Sequence, residues 1–344
     1  MENYKNILII KMSSLGDILH ALPTLAALRE NWPNARIVWA VHKNFSAVLP
    51  GKPYLDDVVY VDRKRLKSPA YWLELRRTLH AYHFDLALDL QGLAKSALVS
   101  VLSGAKHRYG YWDMREGSFL VSKGLTGPHK RGHIIEQYLD TVRALGGTVR
   151  DVNFPLPDIA QEKQRMRERF AASGIHGDYV AVVPGARWNI REWPLDHWQE
   201  LLTKIAATGM NVLLLGSKDD AAKGKHLAEA VHSPYVFDYT GQTSLRELMA
   251  VIAMSTVFIS VDTGPLHIAN ALKKNMIALF GPTSPVRSGP YGGKNGQYIH
   301  TILSPASTIT TETLHVKNPE WMKQLPVAMV WETYEKIMQE VRHD

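Results

Sequence analysis

The chain has 344 residues, 45% of them hydrophobic and 21% charged, with a formal net charge of +7 and no cysteine. That length exceeds what one hydrophobic core usually organises, so two soluble, globular domains are expected. The missing cysteines exclude disulfides, a thiol nucleophile, thiolate zinc sites and iron–sulfur clusters.

The amino terminus runs into only four apolar residues, Ile7 to Ile10, before Lys11, too short for the apolar region of a signal peptide. No run approaches the ~18 apolar residues of a membrane span, so a cytoplasmic protein is expected. Short apolar, β-branched runs then alternate with amphipathic stretches. A strand at Asn6–Lys11 precedes a helix at Asp17–Glu30, and strands at Ala35–Val41 and Asp57–Val61 lead to a helix at Ala70–Ala81. A strand at Asp85–Leu90 is followed by helices at Leu93–Leu102 and His133–Leu145. The segment Asp151–Asp158, with two prolines and no period, reads as the linker. Beyond it, strands at Tyr179–Val183, Met210–Leu215, Val236–Tyr239, Thr256–Ser260 and Met276–Phe280 alternate with helices at Leu195–Ala207, Asp219–Val231, Ser244–Met254 and Pro265–Ala271. A polar helix near Val330–Arg342 closes the chain and has the option of returning to the first domain. The pattern predicts α/β architecture: two doubly wound parallel-sheet domains, at 1–155 and 156–325, with a carboxy-terminal helix at 326–344.

Charge is uneven. Residues 1–158 hold 21 Lys and Arg against 15 acids, whereas 159–344 hold 19 against 18, so the first half should meet something anionic. No nucleic-acid-binding motif accompanies the charge.

In open α/β sheets ligands sit beyond the carboxyl ends of the strands, and the loops there carry the candidate chemistry. Val261-Asp262-Thr263-Gly264-Pro265-Leu266-His267 joins a buried apolar run to a helix start, where backbone N–H groups and the helix dipole favour an anion. The same residues also suit an ordinary helix cap with Pro at the first position. Asp17, at the first strand-to-helix turn, could be a general base or a cap. Arg187 and Arg191 follow Pro184-Gly185 and suit phosphate oxygens, or are simply solvated; Asp220 could accept from ribose hydroxyls or merely favour a helix dipole. His267 is open to a packing or hydrogen-bonding role or to catalysis. Gly16 stands alone, without Gly-x-Gly-x-x-Gly, which argues against a nicotinamide dinucleotide; no phosphate-binding Gly-x-x-x-x-Gly-Lys-Ser/Thr loop and no metal-ligand spacing occur.

Four stretches occur in one order: Ser13-Ser-Leu-Gly-Asp-Ile-Leu-His20, Asp89-Leu-Gln-Gly-Leu-Ala-Lys-Ser96, Pro184-Gly-Ala186 ahead of Arg191-Glu-Trp-Pro194, and Asp262-Thr-Gly-Pro-Leu-His267 ahead of Phe280-Gly-Pro-Thr283. Together they closely resemble the ADP-heptose:lipopolysaccharide heptosyltransferases, and the first two look more like the first heptosyltransferase, which acts on Kdo–lipid A, than the second. The resemblance implies a GT-B fold, two Rossmann-like domains facing a central cleft, and inverting, metal-independent transfer from ADP-heptose with no cofactor. It makes Asp17 the candidate base and Arg187, Arg191, Asp220, Thr243, Asp262, Thr263, Gly264, Pro265 and His267 the donor side. Ser14, Gly16, Arg63, Arg65, Lys67, Gln91, Lys95 and Arg115 are the acceptor-side candidates. Arg191 stands where the family usually has lysine, and Asp220 where it has glutamate. The implied partners are a nucleotide sugar and an anionic, lipid-linked saccharide, with a monomer in peripheral contact with the cytoplasmic face of the inner membrane and no nucleic acid. The alternatives are transfer to an already heptosylated core, as by the second heptosyltransferase, a hydrolase or epimerase of nucleotide sugars with the same architecture, and a non-catalytic nucleotide-sugar sensor or scaffold on the membrane.

Overall fold

The computed structural model describes residues 2–309, 318 and 320–343, and the chain divides into two units, Met1–Asp158 and Ile159–Asp344.

The first unit is one parallel sheet. Its strands are β1 (Asn6–Ile10), β2 (Arg36–Val41), β3 (Asp57–Tyr60), β4 (Leu86–Asp89), β5 (His107–Tyr111) and β6 (Lys123–Leu125), in the order β3-β2-β1-β4-β5-β6. Helices α1 (Leu15–Asn31), α2 (Pro69–His80) and α3 (Ala94–Leu102) make crossovers, and α4 (Ile134–Ala144), after the last strand, packs against α1. The central strand β1 is apolar on both faces because helices cover both. Ile7, Leu8, Ile9 and Ile10 are fully buried, each contributing about 1.5–3 kcal/mol relative to an exposed side chain. One face packs Leu8 and Ile10 with Leu75, Leu79 and Val99 of α2 and α3.

The second unit repeats the arrangement. After α5 (Ala160–Ala172) come β7 (Tyr179–Val183), α6 (Leu195–Ala207), β8 (Asn211–Leu214), α7 (Ala221–Val231), β9 (Val236–Asp238), α8 (Leu245–Met254), β10 (Val257–Val261), α9 (Gly264–Ala271), β11 (Met276–Phe280), α10 (Pro285–Ser288), β12 (Ile299–Leu303), α11 (Glu320–Lys323) and α12 (Val327–His343). The sheet order is β12-β11-β10-β7-β8-β9, all parallel, so within each unit the third, second, first, fourth, fifth and sixth strands lie side by side. The terminal helix α12 packs on α6, β11 and β12 of its own unit, placing Val330, Tyr334, Ile337 and Met338 in that unit's core.

This order reverses direction between β1 and β4 in one sheet and between β7 and β10 in the other. At such a reversal the loops leaving the two central strands run to opposite sides, and the space beyond the strands' carboxyl ends is where open α/β sheets bind ligands. The motif loops after β1 and β4, and those after β7 and β10, occupy these two positions.

Candidate functional site

In the first unit, Ser14 is the N-cap of α1 and Asp17 its third residue. The carboxylate Oδ2 of Asp17 accepts from the Ser14 backbone N–H at 2.9 Å and from Ser14 Oγ at 2.7 Å. Capping therefore holds Asp17, half-buried, in one orientation at the positive end of a helix. Gly16 is buried in the same turn.

The β1 loop is fixed from the neighbouring strand. Gln91, after β4, accepts through Oε1 from the backbone N–H groups of Met12 and Ser13 at 3.1 and 3.2 Å. Gln91 is set in turn by buried Asp89, whose Oδ1 accepts from the N–H groups of Gln91 and Gly92 at 2.9 Å each, while Ser96 Oγ donates to Oδ2 at 2.8 Å. Burial pushes the Asp89 carboxyl above its ordinary range, against the hydrogen bonds from Gly92, Ser96 and Gln91. Beside it, buried Lys11 donates to Leu90 O at 2.8 Å and to Tyr138 OH at 2.7 Å. Gly92 has φ of +66°, and a Cβ there would stand 3.1 Å from Asp113 O and from the Tyr111 ring, so the turn demands glycine.

The basic candidates separate. Arg63 reaches Ser13 Oγ with Nη1 at 3.3 Å, joining the Asp17 loop. Arg65 instead pairs with Glu74 at 2.5 Å and lies over the Tyr71 ring at 4.3 Å. Lys67, Lys95 and Arg115 are exposed, and Arg115 bonds through its backbone N–H to Gly92 O at 2.8 Å.

In the second unit a charged cluster bridges the loops after β7 and β10. Buried Asp262 accepts through Oδ2 from Thr283 Oγ1 at 2.7 Å and pairs with Arg191 Nη1 at 3.0 Å; His267 Nε2 lies 3.9 Å from its Oδ1. Arg191 Nε is buried and has no hydrogen-bond partner among the described residues. Thr263 is the extended N-cap of α9, with Gly264 and Pro265 in its first turn. Pro265 costs nothing at that position, because a first-turn N–H has no intrahelical acceptor to lose. A cation and a helix N-terminus thus meet at the end of the central strand, the combination that binds phosphate.

Asp220 caps Ser217, accepting from its N–H at 2.9 Å and its Oγ at 2.7 Å. A Cβ on Gly185 would collide with the Asp220 carboxylate, so this glycine lets the β7 loop close onto it. Lys223 binds Glu192 at 2.5 Å and lies 3.9 Å from Asp220; Glu192 also accepts from Ala186 N at 3.1 Å. Thr243 is half-buried in the loop before α8, and Arg187 lies over exposed Trp188 at 5.8 Å. Among the described residues, the partners of Asp262 and Arg191 include neither of them. Lys11, Tyr138 and Lys223 lie outside the motifs read from the sequence, and Asp89, Glu192 and Thr283 stand within them without having been assigned to the site. Lys11 and Asp89 had a signal, a charge ending an apolar strand. Among the described residues no group of three His, Asp or Glu stands at metal-binding spacing.

The profile of glycosyltransferase family 9 (heptosyltransferase) matches residues 72–315. The chain belongs to this family. It is 30% identical over 301 residues to lipopolysaccharide heptosyltransferase 1 of Salmonella typhimurium, covering 83% of this chain and 91% of that protein. Lipopolysaccharide heptosyltransferase 3 of Escherichia coli is 25% identical over 332 residues, covering 94% and 96% of the two chains. The solved E. coli heptosyltransferase WaaC with ADP superposes with a TM-score of 0.77 at 26% identity, over 96% of this chain and 99% of that one. This family 9 member is therefore a glycosyltransferase with the GT-B type of α/β fold. Relatives of both the first and third kind match it well, so membership alone leaves the acceptor open.

Proposed function

We propose that this enzyme transfers L-glycero-D-manno-heptose from ADP-heptose to the Kdo/lipid A inner core of lipopolysaccharide, with inversion and without a metal. The observation that carries the reading is the Arg191–Asp262 pair beside the α9 N-terminus, at the strand-order reversal of the second sheet, which suits a nucleotide diphosphate. The heptosyltransferase relatives supply the sugar and the acceptor class.

In this scheme the Asp17 carboxylate takes the proton of the acceptor hydroxyl as that oxygen attacks the anomeric carbon. The bond from that carbon to the β-phosphate oxygen breaks on the opposite side, and ADP leaves with the electron pair. Charge gathers on the leaving diphosphate, where the guanidinium of Arg191 and the N–H groups at Thr263 and Gly264 stabilise it. Asp262, Thr283 and His267 orient Arg191, and Asp220 and Thr243 take the nucleoside side. Ser14, Gly16, Gln91 and Arg63 line the acceptor hydroxyl, with Arg65, Lys67, Lys95 and Arg115 further along the anionic saccharide. The acceptor's lipid puts the enzyme, as a monomer, at the cytoplasmic face of the inner membrane.

A mass-spectrometric assay tests this with purified protein, ADP-heptose, and Kdo–lipid A with and without one heptose. One heptose should be added to the heptose-free acceptor, and EDTA should leave the rate unchanged. Addition only to the heptosylated core would make the enzyme act later in the core. Full-rate donor breakdown without acceptor would make it a hydrolase.

A further inference from the structure

The turn between β5 and β6 is built the wrong way round for a solvent-facing segment. Its small residue, Ser118, is fully buried, with Oγ donating to Arg115 O at 2.8 Å, while its large apolar residues point out: Phe119 is 60% and Leu120 81% exposed. Gly117, at φ +77°, caps this turn, a backbone shape that L side chains rarely adopt. Ser100 and Ser122 share a hydrogen bond of 3.4 Å that fastens the turn to α3, whose Val101 is itself 45% exposed. Three large apolar side chains on two tied elements thus face water with no covering element among the described residues, which marks an interaction surface.

Charge identifies the occupant. Residues 94–131 contain seven Lys and Arg against two acids, and one of those acids, Glu116, is held at the α3 start by the Ala94 N–H at 3.2 Å. Arg108 Nε donates to Val121 O at 3.3 Å, at the edge of the turn, and exposed Arg115 and Lys123 flank it. A protruding apolar pair ringed by cations matches the interface of an anionic bilayer, where apolar tips enter the acyl boundary and cations meet headgroups. A second copy of the chain fits poorly, because three side chains fall well short of the ~800 Å² per partner that a stable dimer buries.

We propose that Phe119 and Leu120, with Val101 behind them, form a wedge that docks the first unit onto an anionic lipid surface. This deepens the membrane-linked acceptor assigned above and rests on that reading for its purpose.

Flotation with vesicles tests the wedge without any substrate. Wild type should float with phosphatidylcholine vesicles containing about 30% phosphatidylglycerol and not with pure phosphatidylcholine. Leu120→Glu should cut flotation ~10-fold or more, and Leu120→Trp should keep it. Transfer to a soluble, delipidated saccharide acceptor should stay within about twofold for both variants, since the exposed Leu120 side chain is not among the acceptor-side residues. The wedge is overturned if Leu120→Glu floats like wild type, if wild type binds neither vesicle, or if wild type is a dimer that Leu120→Glu dissociates. Wild type that floats yet transfers no heptose supports the docking surface and sinks the assigned reaction instead.

Discussion

At the scale of single residues, Asp17 shows how a helix cap and a proton acceptor can be one carboxylate. Both capping bonds come from Ser14 and fall on Oδ2, and an asparagine oxygen can still accept them. Asp17→Asn should therefore melt within a degree or two of wild type yet lose ~10²-fold or more in turnover, with ADP affinity nearly unchanged. Loss of stability with turnover intact would reduce Asp17 to a cap. Arg191 carries a different burden, because it also neutralises buried Asp262. Arg191→Ala should weaken ADP binding about tenfold in calorimetry and destabilise the protein by about 1–3 kcal/mol in urea, since the carboxylate loses a charged partner. Arg191→Lys should recover part of both. Residue identity tells which groups could act, but not what else they hold. Gln91 was legible as a polar group at a strand end, whereas its grip on the Met12 and Ser13 N–H groups depends on β4 lying next to β1. Arg65 was legible as a cation, but its pairing with Glu74 needs the geometry of α2.

At the scale of elements, capping again decides where helices begin. Ser244 and Glu247 form a reciprocal box at the start of α8. The Ser244 backbone N–H, outweighing burial, holds the Glu247 carboxyl below its ordinary value of 4.5. The unfolded chain binds that proton first on acidification, so the stabilisation is complete above about 4.5 and fades as pH falls through the lower folded value. The difference in urea midpoint between wild type and Glu247→Gln should be constant from neutral pH to about 5 and shrink below 4.5. An unchanged difference down to pH 3 or so would show that the box contributes through geometry rather than charge. Elements with a buried, β-branched run were legible, β1, β7 and β10 among them. The strands β5 and β6 were not: His107–Tyr111 is half polar and Lys123–Leu125 has three residues at a sheet edge. Helix α5 escaped because its buried stripe is only Glu162, Met166 and Phe170 amid charged residues. An ion pair between Glu162 and Arg246 at 2.8 Å, from α8, supplies contact that no periodicity announces.

At the scale of the whole molecule, one strand order serves twice with different electrostatics. The first unit carries a net +6, from 21 Lys and Arg less 15 acids, and the second +1, from 19 less 18. With a soluble anionic acceptor, its KM should rise several-fold between about 50 and 500 mM salt, while KM for the donor moves less. Equal shifts in both would place the acceptor's charges elsewhere. The last helix has a bearing on handling the protein. Because α12 furnishes one wall of the second unit's interior, a late stop codon or a trimming carboxypeptidase would strip Val330, Tyr334, Ile337 and Met338 together. Cellular abundance would collapse before any chemistry could be assayed, so affinity tags belong after this helix and deletions must stop short of it.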